Sequence, residues 1–354
     1  VTEATVNVAA LRSFCVRALQ RTGVADAPAR LCAEALVCAD QRGVHSHGTL
    51  RLGVYIDRLR AGSIDAAAQP QTVIDRGAVA VLDARAGLGI PAAAVAADLA
   101  CARALAHGIA AVGVRNSHHC GMLAWYGLRA VERGLILIGA SNADAQVAPW
   151  GARVKYLGTN PLSIAFPAGE RPFVLDFATS VLPHAKIKAA AERGEPIPPD
   201  CAVDRDGRAT TDAQAALEGA LLPFGGAKGS GLSVAIEVLA GLLPGGLVGP
   251  EIVPLYLRLG DAQGVGHFFL ALDPAAFGDA SEFRRRCARF FDAIRALPPR
   301  ADALCVVLPG DLEAERSARA ERDGVALPSD ARRELARVAH TVGLEAPFAP
   351  SRPS

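Results

Sequence analysis

The stretch Gly113–Gly121, GVRNSHHCG, sets two adjacent histidines, His118 and His119, among Arg115, Asn116, Ser117 and Cys120. It follows an apolar, β-prone run, Ile109–Val114, and precedes a helical pattern from Met122 to Gly134. The histidines are therefore expected where a strand opens into a loop, a place where polar groups are more often site than core residues. Imidazole, with an unperturbed pKa of about 6.5, exchanges protons near neutral pH. Three further polar strings stand out. Gln41–Arg51, QRGVHSHGTLR, holds His45, Ser46, His47 and Arg51. Asp176-Phe177-Ala178-Thr179-Ser180 follows an apolar run at Phe173–Leu175. It reads either as a polar site at a strand end or as a helix cap formed by Asp176 or Thr179. Leu221–Gly231, LLPFGGAKGSG, surrounds Lys228 with glycines before a helix expected from Leu232. Backbone N–H groups, a helix N-terminus and an ammonium together suit a phosphate or carboxylate, although the spacing is not that of a Walker A loop.

The elements that must position these strings follow from hydrophobic period. Val8–Thr22 repeats apolar residues at a helical interval, Asp26 is placed to cap a second helix through Ala39, and Leu52–Arg60 continues the helical pattern. Gln71–Ala84 alternates as a strand pair, and an alanine-rich helix runs to about His107. Between them Gly87-Leu88-Gly89-Ile90-Pro91-Ala92 has the form G-x-G-x-x-A. A dinucleotide fingerprint also needs an acidic residue about 20 positions on, and the next strand ends in Arg115-Asn116 instead. An ordinary strand-to-helix turn is the preferred reading. Strands are expected at Leu135–Ala140, Leu162–Phe166, Phe173–Leu175, His267–Asp273 and Ala303–Leu308, and helices at Ala280–Ala296, Leu312–Gly324 and Pro328–Val342.

Composition narrows the function classes. With 37 basic and 36 acidic residues the net charge is +1, which gives no basic field for nucleic acid or a membrane surface. Aromatics make up 5%, too few for base-stacking platforms. The eight cysteines form no CxxC pair and no zinc-ligand spacing, so reduced thiols in a cytoplasmic protein and no metal site are expected. Apolar stretches such as Gly231–Gly246 are interrupted by Glu237 and Pro244, short of the roughly 20 residues of a membrane span.

Taken in order, GVHSHGTLR, RNSHHCG, GTNP at Gly158–Pro161, DFATS, TTD at Thr210–Asp212, LPFGGAKGSG, His267–Asp273 and LPGD at Leu308–Asp311 form a set. The chain thereby resembles the type-2 malate/L-lactate dehydrogenase family, which also includes ureidoglycolate and sulfolactate dehydrogenases and Δ1-piperideine-2-carboxylate reductase. The resemblance implies an α+β fold whose mixed-sheet domain binds NAD or NADP outside the Rossmann pattern. It implies a helical domain made from both chain ends, so that residues 1–70 and 281–354 flank a cofactor-binding and catalytic domain at 71–280, and a homodimer. Carried over by position, His119 is the acid/base, Ser46 and His47 line the substrate pocket, and Arg51 clamps a substrate carboxylate. Asp176, Phe177 and Ala178, with Lys228, Gly310 and Asp311, are the implied cofactor contacts. His118 and Cys120 stand where the family commonly has Asn and Phe. The implied reaction moves a hydride between nicotinamide and a small 2-oxo or 2-hydroxy acid. Reduction of a cyclic imine carboxylate such as Δ1-pyrroline- or Δ1-piperideine-2-carboxylate is the alternative, and a non-catalytic dimeric binding protein is a third reading.

Overall fold

The computed structural model describes residues 5–348. Thr5–Val6 (β1) leads into α1 (Val8–Gln20) and α2 (Asp26–Gln41). Two 3-10 turns, His45–His47 and Thr49–Arg51, run into α3 (Leu52–Ala61). A hairpin of β2 (Gln71–Arg76) and β3 (Val79–Asp83) precedes α4 (Gly89–His107), β4 (Ile109–Ser117), α5 (Ala124–Glu132) and β5 (Ile136–Ser141). After β6 (Leu162–Phe166) and β7 (Phe173–Phe177) comes an excursion of α6 (His184–Arg193), β8 (Ala202–Val203), α7 (Ala213–Glu218) and β9 (Ala220–Leu221). Helix α8 (Ala227–Ile236) continues into a π-helical turn, Glu237–Leu242. The chain then forms β10 (Val265–Leu272), α9 (Ala280–Arg295), α10 (Asp311–Asp323), β11 (Val325–Ala326) and α11 (Ser329–Val342).

One seven-stranded mixed sheet, in the order β2-β3-β4-β10-β5-β6-β7, organises the site. Only β3 and β4 run parallel, joined over the sheet by α4, while every other neighbouring pair is antiparallel. Strand β10, from late in the chain, lies between β4 and β5, with His267 opposite Val114 on one side and Ser141 on the other. Both ladders of β10 are thereby saturated, and its Phe269 is fully buried beneath Tyr126 of α5, 5.3 Å between ring centroids. Helix α4 is 19 residues long and apolar enough to cross a membrane by length and composition. Its small alanines instead let it lie close on β4 and β10 as a core helix.

The two chain ends meet. β1 pairs antiparallel with β11, α1 touches α11, and α10 lies on α2. Helix α1 buries Val8, Leu11, Phe14, Cys15, Ala18 and Leu19, the helical period seen in its sequence, and Asn7 caps it by accepting from Ala10 N at 3.1 Å. Helix α9 lies instead against the edge strand, where Phe291 stacks on Phe173.

Four local expectations are corrected. Asp26 is the first residue of α2 rather than its cap, since Arg30 Nε at 2.6 Å and Gln20 Nε2 at 3.0 Å engage its carboxylate. Helix α8 begins at Ala227, so Lys228 lies in its first turn rather than in the loop before it. Arg115, Asn116 and Ser117 are still strand, because β4 continues along β3, with Arg115 opposite Asp83, and along β10, with Ser117 opposite Val265. Ala303–Leu308 forms bends and coil, not a strand: in place of a ladder, Val174 of the β7 edge donates its N–H to Pro309 just beyond it.

Candidate active site

The GVHSHGTLR string folds as two short turns because Asp40, at the end of α2, ties them down. Asp40 is 2% exposed and accepts from Thr49 N (2.8 Å), Thr49 Oγ1 (2.6 Å) and His45 Nδ1 (2.9 Å). A Cβ at Gly48 would overlap the Asp40 carboxylate, so only glycine fits there. Arg51 Nε donates to the Ser46 carbonyl at 2.6 Å, and Ser46 Oγ meets His47 Nδ1 at 3.0 Å. Ser46, His47 and Arg51 thus form one braced shelf.

Strand β4 delivers His119 to that shelf. Its ring stacks on His47, with centroids 5.5 Å apart and planes at 26°. Tyr55, one turn beyond Arg51 on α3, places its hydroxyl 2.7 Å from His119 Nδ1, and Gly121 N–H donates to the same nitrogen at 3.3 Å. An amide only donates, so neutral His119 carries its proton on Nε2, which has no protein partner among the described residues. Burial pushes this imidazole well below its usual pKa, and the charges of Arg51, His47 and His267 add to the effect. His119 N–H also donates to Gln263 Oε1 at 3.1 Å, fixing the backbone. A Cβ at Gly89, the first residue of α4, would overlap the carbonyls of His118 and His119. The glycine of the failed fingerprint therefore serves this close packing.

The neighbouring His118 points elsewhere. It is 1% exposed, and its Nε2 lies 3.0 Å from the Ser63 carbonyl. Burial, assisted by Arg58, lowers it to about 4. Behind it His267 bridges Ser117 Oγ and Ser141 Oγ, each at 2.9 Å, and burial lowers it to about 3. Beneath this layer Asn142 and Asn160 donate to the buried Glu237 at 3.2 and 3.0 Å, and Asn160 accepts from Ala143 N at 3.1 Å.

A second group lies along β7. Asp176 Oδ2 accepts from Ala124 N at 2.7 Å, so this carboxylate caps α5, a helix distant in sequence. Burial raises it to about 7, against the pull of that bond and of Arg42. Phe177 sits edge-on to Phe224 at 5.6 Å, and Phe224 N donates to the Thr179 carbonyl at 2.9 Å, which seats the glycine loop beside Ala178. That loop ends at Gly225 and Gly226, with φ of +57° and +61°, and no side chain caps the α8 N-terminus where Lys228 stands exposed. Gly310, at φ +95°, rests on Val174. Asp311 accepts a two-pronged bond from Arg295 (2.9 and 2.8 Å) and another from Leu308 N (2.9 Å), so its carboxylate braces the turn.

The structure therefore gathers Ser46, His47, Arg51 and His119 into one cluster, and Asp176, Phe177, Ala178, Gly310 and Asp311 along and beside β7, with Lys228 exposed at the start of α8 and joined to them through the Phe224 loop. The segment from His119 to Ala124 links them. Among the described residues no group of three or more His, Cys, Asp or Glu is placed to hold a metal ion. Sequence reasoning missed Asp40, Tyr55, Arg58, Tyr256 and Gln263. Arg51, Tyr55 and Arg58 are spaced by four and three positions, which puts them on one helix face, and that signal was available. Arg58 is fully buried, and its guanidinium donates to the carbonyls of Leu255 (2.9 Å), Asp261 (2.8 Å), Pro254 (2.7 Å) and Leu257 (3.1 Å). It thereby pins the loop whose Tyr256 hydroxyl accepts from Arg51 Nη1.

The family profile described as malate/L-lactate dehydrogenase matches residues 6–336. L-sulfolactate dehydrogenase of Methanocaldococcus jannaschii is 34% identical over 333 residues, covering 94% of this chain and 96% of that protein. The Δ1-pyrroline-2-carboxylate/Δ1-piperideine-2-carboxylate reductase of Pseudomonas putida is 35% identical, covering 90% of this chain and 92% of the relative. The solved structure of malate dehydrogenase from Pyrococcus horikoshii superposes with a TM-score of 0.89 at 31% identity, covering 97% of each chain.

Proposed function

This chain belongs to the malate/L-lactate dehydrogenase family, and we propose that it is an NAD(P)-dependent oxidoreductase of small 2-oxo and 2-hydroxy acids, with His119 as acid/base. One observation carries the reading: His119 is held at Nδ1 by Tyr55 and Gly121, stacked on His47, with Nε2 unpartnered among the described residues beside the Arg51 shelf. Arg51 spends Nε on Ser46 and one Nη1 hydrogen on Tyr256. Its remaining donors form a fork suited to a carboxylate, while Ser46 and His47 line the same pocket. Once protonated to imidazolium, His119 gives its Nε2 proton to the developing charge on a 2-oxo oxygen and is left as neutral imidazole, its Nδ1–H then donating to the Tyr55 oxygen. A carboxylate at Arg51 offsets one of the charges that depress His119, so substrate binding raises the proton affinity of the imidazole.

The β7 group fits a dinucleotide. The uncapped α8 N-terminus with its two positive-φ glycines and Lys228 suits a pyrophosphate, and Asp176, Phe177, Ala178 and the Gly310-Asp311 turn complete the cradle. When bound, NADH or NADPH supplies the hydride. The single parallel strand pair supports a site of non-Rossmann type. The meeting of β1 with β11 and of α1 with α11 supports a helical domain built from both chain ends around a catalytic unit, which α9, stacked on β7 through Phe291, joins. Exposed Val234, Val238, Leu242 and Leu243 along α8 and its π-helical continuation support a homodimer, and eight free cysteines support a reducing, cytoplasmic setting.

The test is loss of nicotinamide absorbance with NADH or NADPH against oxaloacetate, pyruvate and Δ1-pyrroline-2-carboxylate. Turnover of the keto acids is expected. Turnover of the imine alone would move the protein to amine formation, and none with either cofactor would overturn the proposal.

A further inference from the structure

Two cations approach one aromatic ring at the rim of the site. The Arg51 guanidinium carbon lies 5.3 Å from the Tyr256 centroid, and the Lys188 ammonium lies 5.8 Å from it. Arg51 also donates to the Tyr256 hydroxyl, which therefore keeps its own proton for another acceptor. The ring stands on a fixed loop, because the buried Arg58 holds the carbonyls on either side of it. Tyr256 is 54% exposed and the Lys188 side chain 62% exposed, so both border solvent. His184, at the start of α6, lies in the same field: burial lowers its pKa, and Lys155, Arg51 and Lys188 add to that while Asp144 opposes it. The carboxylates nearby are Glu192, 4.0 Å from Lys188, and Asp144, which accepts from Gln146 Nε2 at 2.6 Å. Positive charge and a free hydroxyl proton thus converge beyond the guanidinium fork.

We infer that Lys188 and the Tyr256 hydroxyl, beside Arg51, form a second anion subsite that selects 2-oxo acids carrying a distal carboxylate or sulfonate. The inference rests on the reading above, in which Arg51 takes the carboxylate next to the reacting carbon. The distal anion then meets a hydroxyl donor and an ammonium on the solvent side. A monocarboxylic keto acid or a cyclic imine carboxylate offers nothing to these groups.

The test measures kcat and KM for oxaloacetate, sulfopyruvate, pyruvate and Δ1-pyrroline-2-carboxylate with the native protein and with Lys188→Ala, Lys188→Arg and Tyr256→Phe. The native protein is expected to favour the two dianions. Lys188→Ala should lower kcat/KM for them about tenfold, chiefly through KM, and leave pyruvate within about twofold. Lys188→Arg should restore most of the loss, and Tyr256→Phe should act in the same direction as Lys188→Ala. A loss confined to oxaloacetate or to sulfopyruvate identifies the distal group. Equal effects on monoanion and dianion, or a native preference for pyruvate or the imine, removes the subsite while the oxidoreductase reading stands. No turnover of any of the four overturns both.

Discussion

On the His119 side of the site, functional side chains are held by other side chains; on the Asp176 side, the backbone does most of the holding. His119 depends on Tyr55, the shelf on Asp40, and the rim on Arg58, all buried, with Asp40 and Arg58 making several hydrogen bonds each. Around β7 the recurring features are a strand register, two positive-φ glycines and an uncapped helix start. A bond made by a side chain is lost when that residue changes, and its buried partner is left unsatisfied. A backbone cradle survives most substitutions. Changes on the first side should therefore alter turnover steeply, and changes on the second should mainly alter nucleotide affinity.

The largest effect expected is from His119→Ala, a loss of about 10³-fold in kcat with nucleotide binding, followed by fluorescence titration, retained. His118→Ala, one residue away, should keep kcat within about tenfold and instead lower thermal stability, because it removes a packed core side chain. If the two variants lose turnover equally, the distinction between site and core histidine collapses. Next comes Asp40→Ala, which frees Thr49 and His45 and loosens the shelf. Turnover should fall about 30-fold, and stability by about 2–3 kcal/mol in urea melts. Lys228→Ala probes the other side. It should raise the nucleotide KM about tenfold with keto-acid KM unchanged, and a rise in both would mean that the two halves are not separable. Smallest is Asp311→Asn, which weakens the half-buried link to Arg295 by about 1 kcal/mol and leaves kcat near the native value.

This contrast also explains what the sequence could reveal. His119, Arg51, the glycine loop and the strands β4 to β7 were legible because short strings or a local hydrophobic period carry them. Tyr55 is 64 residues from His119, and Arg58 is 197 from the Leu255 carbonyl it binds, so no local pattern announces either contact. The insertion of β10 between β4 and β5 is equally non-local, yet it places His267 behind the two histidines. The expected strand at Ala303–Leu308 failed because apolar composition says nothing about whether a segment pairs with the sheet edge it passes. That His118 turns to the Ser63 carbonyl while His119 meets His47 and Tyr55 is likewise not encoded by their adjacent positions.

In the proposed reaction His119 exchanges the proton from a site that keeps it neutral when substrate is absent. The most direct measurement is kcat/KM for keto-acid reduction between pH 6 and 8.5, which reports the free protein. Because burial and Arg51 hold His119 well below its usual pKa, the rate constant should climb about tenfold for each unit that pH falls. No levelling near 6.5 is expected. The slope should persist in Asp176→Asn, where the carboxyl that titrates near 7 is gone, and in His118→Asn. A plateau with a midpoint near 6.5, or a slope that vanishes in His118→Asn, would contradict the account.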